Sequence, residues 1–90
     1  MARIDRRGFH RRLTAAMISV RQVKAARSLL DWSREELADS AGISYRTVAR
    51  MERIDGPLRG SQESRDAIRT ALESAGIRFI PAGVQLRKPR

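Results

Sequence analysis

From Ser19 onward the apolar residues return at helical intervals. Val23, Ala26 and Leu30 fall on one face, and Ser19 with Gln22 three residues on makes a capping box, so a first helix is expected over about 20–30. Ser33 with Glu36 repeats that box and starts a second helix, which presents Leu37, Ala38 and Ala41 and stops at Gly42. It has barely two turns. Ile43 is an apolar residue in the turn that follows, and Ser44 is a good N-cap for a third helix over about 45–54, ending before Asp55-Gly56-Pro57. After the loop "DGPLRGSQ", Ser61 or Gln62 begins a fourth helix that carries Ile68, Ala71, Leu72 and Ala75 as far as Gly76.

Beyond Gly76 the period changes from that of a helix to that of a strand. In "IRFIPAGVQLR", with Ala82-Gly83 in the turn, Ile77, Phe79, Val84 and Leu86 share one face, and Arg78, Gln85 and Arg87 share the other. This reads as a hairpin. Ala is a poor residue where a two-residue turn needs positive φ, so a four-residue loop in the same register is an equal alternative. A lone two-stranded ribbon is marginal in water, so its apolar face must cover the helices or meet a second subunit.

Composition narrows the class. Ninety residues suit one module, and without cysteine neither a disulfide framework nor a thiolate metal site can form. No apolar run approaches the roughly 20 residues of a spanning helix, so the expected location is the cytoplasm. The formal net charge of +9 is concentrated at the ends. Residues 1–16 carry five Arg against Asp5, and residues 77–90 carry three Arg and Lys88 with no acid. The expected organisation is a basic flexible arm over 1–16, a helical domain over 17–76, and a hairpin with a basic tail over 77–90. Arg forks onto phosphate and guanine edges and keeps its charge, so the excess points to a polyanionic partner, nucleic acid ahead of a membrane surface.

Placed on a wheel at roughly 100° per residue, the third helix divides cleanly. Tyr45, Arg46, Ala49, Arg50 and Arg53 fall in one arc, and Thr47, Val48, Met51 and Glu52 in the opposite one. The second arc supplies a core. The first is a strip of three Arg, a phenol and one small residue that permits close approach to a surface, with no acid interspersed as a solvated face would have. A two-turn helix, a Gly-containing turn and a capped helix are also how helix-turn-helix proteins hold a recognition helix across DNA.

The residues "WSREELADSAGISYRTVARME" resemble the helix-turn-helix of the Xre family, the Cro and lambda-repressor-like DNA-binding domains, and the resemblance extends from about Ser19 to near Gly76. It implies a mainly α, lambda-repressor-like bundle of four helices, here followed by a short C-terminal β-hairpin. Carried over by position, it implies that Ser44, Tyr45, Arg46 and Arg50 face base edges in the major groove. Ser33, Arg34, Thr47 and Arg53 would then hold phosphates. Family members usually have Gln where this chain has Arg34, and a short polar residue or Arg where it has Tyr45.

Arg27 lies within the apolar stripe of the first helix, where a lone charge is costly, and Glu52 is its counterpart on the inward arc of the third. An Arg27–Glu52 ion pair with a structural role is expected, and the family resemblance places one there too. No enzyme is expected, since the single His10 lies in the arm and no nucleophile with a base, metal cluster or cofactor site can be drawn. The expected function is sequence-specific binding of double-stranded DNA by a homodimeric transcriptional regulator, a repressor or autoregulator of a prokaryotic operon by family analogy. The alternative is a protein-interaction module of the same fold, antitoxin-like or anti-activator, gripping a protein partner through the helix-turn-helix or the hairpin, whose open edge can accept a strand.

Overall fold

The computed structural model describes residues 18–87, so the expectations for the arm, His10 and the last three residues fall outside it. The fold is mainly helical, four helices followed by a two-stranded antiparallel hairpin. The order is α1 (Val20–Leu30), α2 (Arg34–Ala41), α3 (Tyr45–Met51), α4 (Gln62–Ser74), β1 (Ile77–Ile80) and β2 (Gly83–Leu86).

Each helix begins on a serine. The hydroxyls of Ser19, Ser33, Ser44 and Ser61 accept from the backbone N–H of Gln22, Glu36, Thr47 and Ser64, at 3.0–3.1 Å. In α1 and α2 the third residue returns the bond, Gln22 and Glu36 accepting from the cap N–H at 2.8 and 2.7 Å. Each cap is worth ~1 kcal/mol, so the caps mark where these short helices start while packing supplies most of their stability.

The α3 helix is shorter than the pattern predicts, closing at Met51 instead of near 54. Glu52 sits at φ −90°, ψ 0°, and the Arg53 N–H bonds back only three residues, to Arg50. The chain has to turn there because its next stretch crosses in front of α1. Val20 N–H donates to the Gly56 carbonyl and Leu58 N–H to that of Ile18, both at 2.9 Å. This crossing buries Leu58 and Ile18, neither of which lies on a helical period. Gly60 completes the turn at φ +112°, where a Cβ would stand 3.0 Å from the Met51 methyl.

The core joins all four helices to the first residue of the ribbon: Val20, Val23 and Ala26, then Leu37 and Ala38, Val48 and Met51, Ile68, Ala71 and Leu72, and Ile77. Leu30, Trp32, Ala41, Ile43, Phe79 and Val84 pack around it, partly buried.

The register pairs Ile77 with Leu86 and Phe79 with Val84, placing the four on one face as expected; Ile77 is buried and Phe79 and Val84 partly so, while Leu86 at its edge is exposed. The turn, however, is Pro81–Ala82, one residue earlier than expected, and Gly83 already belongs to β2. Pro81 presets the first turn position and Ala82 takes the left-handed conformation at φ +61°. A non-glycine residue there costs ~1–2 kcal/mol, less the flexibility that glycine adds to the unfolded chain. Ala82→Gly is therefore expected to stabilise by about 0.5 kcal/mol, a rise in Tm of roughly 2–4 °C by thermal unfolding.

Gln22 ties this ribbon down. Its side chain is 7% exposed, and Nε2 donates to the carbonyls of Ile80 and Gly83 at 2.8 and 3.0 Å while Oε1 serves the α1 cap. Every strong hydrogen-bonding direction of a buried amide except one lone pair is thereby used.

Candidate nucleic-acid interface

The site is built on the turn between α2 and α3. Gly42 adopts φ +72° and Ile43 N–H reaches back to the Ala38 carbonyl at 3.1 Å, the closure that ends a helix on a left-handed residue. Ile43 turns toward the core, and Ser44 at φ −75°, ψ 152° starts α3 in a new direction. Val48 and Met51 then anchor α3, which leaves Tyr45, Arg46 and Arg50 exposed, with Ala49 half-buried between them and Arg53 exposed just past the helix end. Arg34, Arg46, Ala49, Arg50 and Arg53 line one open cleft, with the small Ala49 side chain between the guanidinium stems. A second depression beside it is bounded by Arg27, Ser33, Arg34, Glu35 and Tyr45.

Behind this surface lies a charge cluster. Glu52 is 2% exposed, and Arg27 meets it with both fork atoms, Nε to Oε2 at 2.9 Å and Nη2 to Oε1 at 2.8 Å. The expected pair is present and bidentate. Arg27 also donates to the Trp32 carbonyl at 3.1 Å, so a single guanidinium holds the end of α3 to the α1–α2 connection.

Arg34 is the residue whose place the sequence did not disclose. Its Nε donates to the same Glu52 oxygen at 3.2 Å, with the side chain 42% exposed. The Tyr45 hydroxyl beside it and the Glu52 carboxylate both raise its pKa above the usual guanidinium value, Tyr45 contributing more. A clue was available: an Arg in the first turn of a helix opposes the helix dipole, and this asks for a compensating anion.

The remaining sequence-derived site residues fall into two groups. Ser33 and Ser44 are exposed, but both hydroxyls already cap helices, and that of Ser44 also shares a hydrogen bond with Thr47 Oγ1 at 2.8 Å. Arg46, Arg50 and Arg53 make no ion pair with an acid among the described residues. These three carry uncommitted charge.

The helix-turn-helix family model matches residues 23–53, from the buried face of α1 through α2 and α3 to the last arginine of the strip. This segment is similar to the helix-turn-helix family, as the resemblance to Xre-type, Cro and lambda-repressor-like domains implies. The family is one of DNA-binding transcription regulators and not typically enzymatic. No curated protein and no solved structure matches the chain. Within the matched segment α2 and α3 are the two helices about the turn, and the buried Glu52 behind them bonds to Arg27 and Arg34. No helix among the described residues is long and apolar enough to cross a membrane.

Proposed function

We propose that the protein is a sequence-specific double-stranded DNA-binding regulator, a repressor or autoregulator that acts as a homodimer. The observation that carries this reading is the exposed strip of Arg46, Arg50 and Arg53 on and just beyond a helix whose opposite side is locked into the core. In this reading α3 enters the major groove, with Arg46 and Arg50 forking onto guanine O6 and N7, and Tyr45 and Ser44 adjoining them. Ser33, Thr47 and Arg53 hold phosphates along the rim, with the exposed part of Arg34 near them. A module of this size meets one half-site, so two protomers on one repeat give the affinity that regulation requires.

Titration against the DNA upstream of the gene and against a scrambled duplex tests the reading. The upstream duplex should bind more tightly and take up two protomers. If about four phosphates are neutralised, affinity should fall about a hundredfold between roughly 50 and 200 mM salt. Equal affinity for both duplexes at every salt concentration would sink sequence-specific regulation. The antitoxin-like or anti-activator reading, with the hairpin or helix-turn-helix on a protein partner, would then take precedence.

A further inference from the structure

We propose that the open edge of β2, with Leu29 of α1 beside it, is where a second copy of this chain docks, β2 against β2 in antiparallel register with Gln85 on the two-fold axis. The proposal gives the homodimer its surface and rests on the regulator reading only for the use of that dimer on DNA.

The ladder fixes which backbone groups are free. Arg87 N–H donates to the Gly76 carbonyl at 2.8 Å, and bonded and non-bonded pairs alternate along an antiparallel ribbon. Arg78 with Gln85 and Ile80 with Gly83 are therefore bonded pairs, whereas Val84 and Leu86 turn their N–H and C=O groups away from β1. Among the described residues, no backbone group outside the ribbon bonds to these two. The first helix does not block them. Gln22 reaches the carbonyls of Ile80 and Gly83, which lie between the strands, so α1 passes beneath the ribbon and not along its rim.

The same contact sets the level of α1 against β2. Gln22 stands near the start of α1 and holds the start of β2, so the strand lies along the rest of the helix. Seven helical residues rise about 10.5 Å and three strand residues about 10 Å, which brings Leu86 level with Leu29. Gln22, Ala25 and Leu29 share one side of the helix. Leu29 is 46% exposed, Leu86 is 39% exposed, and Ala25 is exposed with them. Unpaired strand groups and an apolar strip thus lie together.

What fits this edge is the edge itself. Natural edge strands are blunted by charge, proline or a bulge, and Val84-Gln85-Leu86 has none of these. Antiparallel pairing about a two-fold axis sets each Val84 opposite the other copy's Leu86 as a bonded pair, and the two Gln85 amides meet on the axis. Arg87 then stands opposite Gly83, which has no side chain. The two Arg78 residues are three strand spacings apart and the two Arg87 residues are four positions out of step, about 14 Å in either case. Both separations exceed the screening length of roughly 8 Å at physiological salt. A chain of net charge +9 therefore meets its copy where its charges are absent, and no charge at the edge selects a foreign strand. The contact is small, so the dimer is weak.

Sedimentation equilibrium without DNA should show a concentration-dependent dimer in the wild type. Leu86→Lys, at an exposed position, should keep the native circular dichroism and remove the dimer. The chain has no cysteine, so single replacements report the register. Gln85→Cys should form an interchain disulfide under mild oxidation, since facing residues of a non-bonded antiparallel pair lie about 4.5 Å apart, within disulfide reach. Arg87→Cys should not, its copy being about 14 Å away.

A wild type that is monomeric at every concentration up to its solubility overturns the proposal. So does a dimer in which Gln85→Cys fails to cross-link, or in which Thr70→Cys, on the exposed side of α4, cross-links instead. Sequence-specific DNA binding by such a protein leaves the regulator reading standing without this interface. A dimer cross-linked through Gln85→Cys that prefers no DNA sequence keeps the interface and removes that reading.

Discussion

Glu52→Ala is expected to cost ~3–5 kcal/mol, the toll of stranding a charge whose partner has been removed. At about 4–8 °C per kcal/mol for a domain of this size, the melting temperature should fall by roughly 12 °C or more. The argument is one of asymmetry. Arg27 is only 17% exposed, with two of its bonds ending on Glu52 and the third on the Trp32 carbonyl. Without the carboxylate, Arg27 has little water to turn to. Arg34 also loses its anchor, but its side chain is 42% exposed and can rehydrate, so its share of the cost is smaller. Arg27→Met with Glu52→Leu should therefore be milder than Glu52→Ala alone, since it removes both the charge and its counter-charge from the interior. Thermal unfolding of Arg27→Met, Glu52→Leu and the pair, followed by far-UV circular dichroism, gives the coupling directly. A Glu52→Ala melting temperature equal to that of the wild type would mean the cluster contributes nothing to stability.

The largest effect on binding is expected from the two exposed guanidinium groups of α3. Arg46→Ala and Arg50→Ala should each cost ~1–3 kcal/mol of discrimination at one guanine. Melting temperatures should barely move, since neither side chain has an ion-pair partner among the described residues. Four residues of helix rise about 6 Å, close to two base-pair steps at about 3.4 Å each. The two preferences should accordingly appear about two base pairs apart, and each variant should erase its own and leave the other. Measured affinities on singly substituted duplexes check this. Arg53→Ala provides the contrast, a loss that is nearly the same for every sequence, as a phosphate contact requires.

Which of these features could be read from the sequence follows from the range of the interactions behind them. The serine caps, the glycine stop at Gly42 and the two faces of α3 depend on residues three or four apart, so sequence spacing contains them. Arg27 and Glu52 lie far apart in the chain, yet each was out of place on its own apolar face, and two opposite anomalies identify each other. Leu58 offered no such sign. It is buried because the stretch after α3 pairs with the start of α1, a contact that leaves no periodicity in either segment.

The α3 end was overrun for the same reason, since residues 52–54 remain compatible with a helix until the crossing claims the chain. The hairpin faces were correct although the turn was misplaced, because a shift of two in the register preserves which side chains share a side. Proline decided the turn: Pro81 occupies its first position, and this carries the left-handed conformation to Ala82 instead of Gly83. Position in the motif says nothing about a carboxylate that arrives beside Arg34 from 18 residues away. Spacing likewise marks Gln22 only as a cap residue. Its second set of partners lies 58 and 61 residues further on.

That last contact bears on how the chain is made. A ribosome releases α1 long before it reaches Gly83, and until then the Gln22 amide has no carbonyl to donate to within the fold. Burying it early would cost a hydrogen bond's worth of desolvation, ~1–3 kcal/mol. The start of α1 therefore stays hydrated until the ribbon arrives, just as the core around α3 waits for Ile68, Ala71 and Leu72 of α4. Only a chain translated through the second strand can close Gln22 over, which makes one glutamine a test of whether synthesis went far enough.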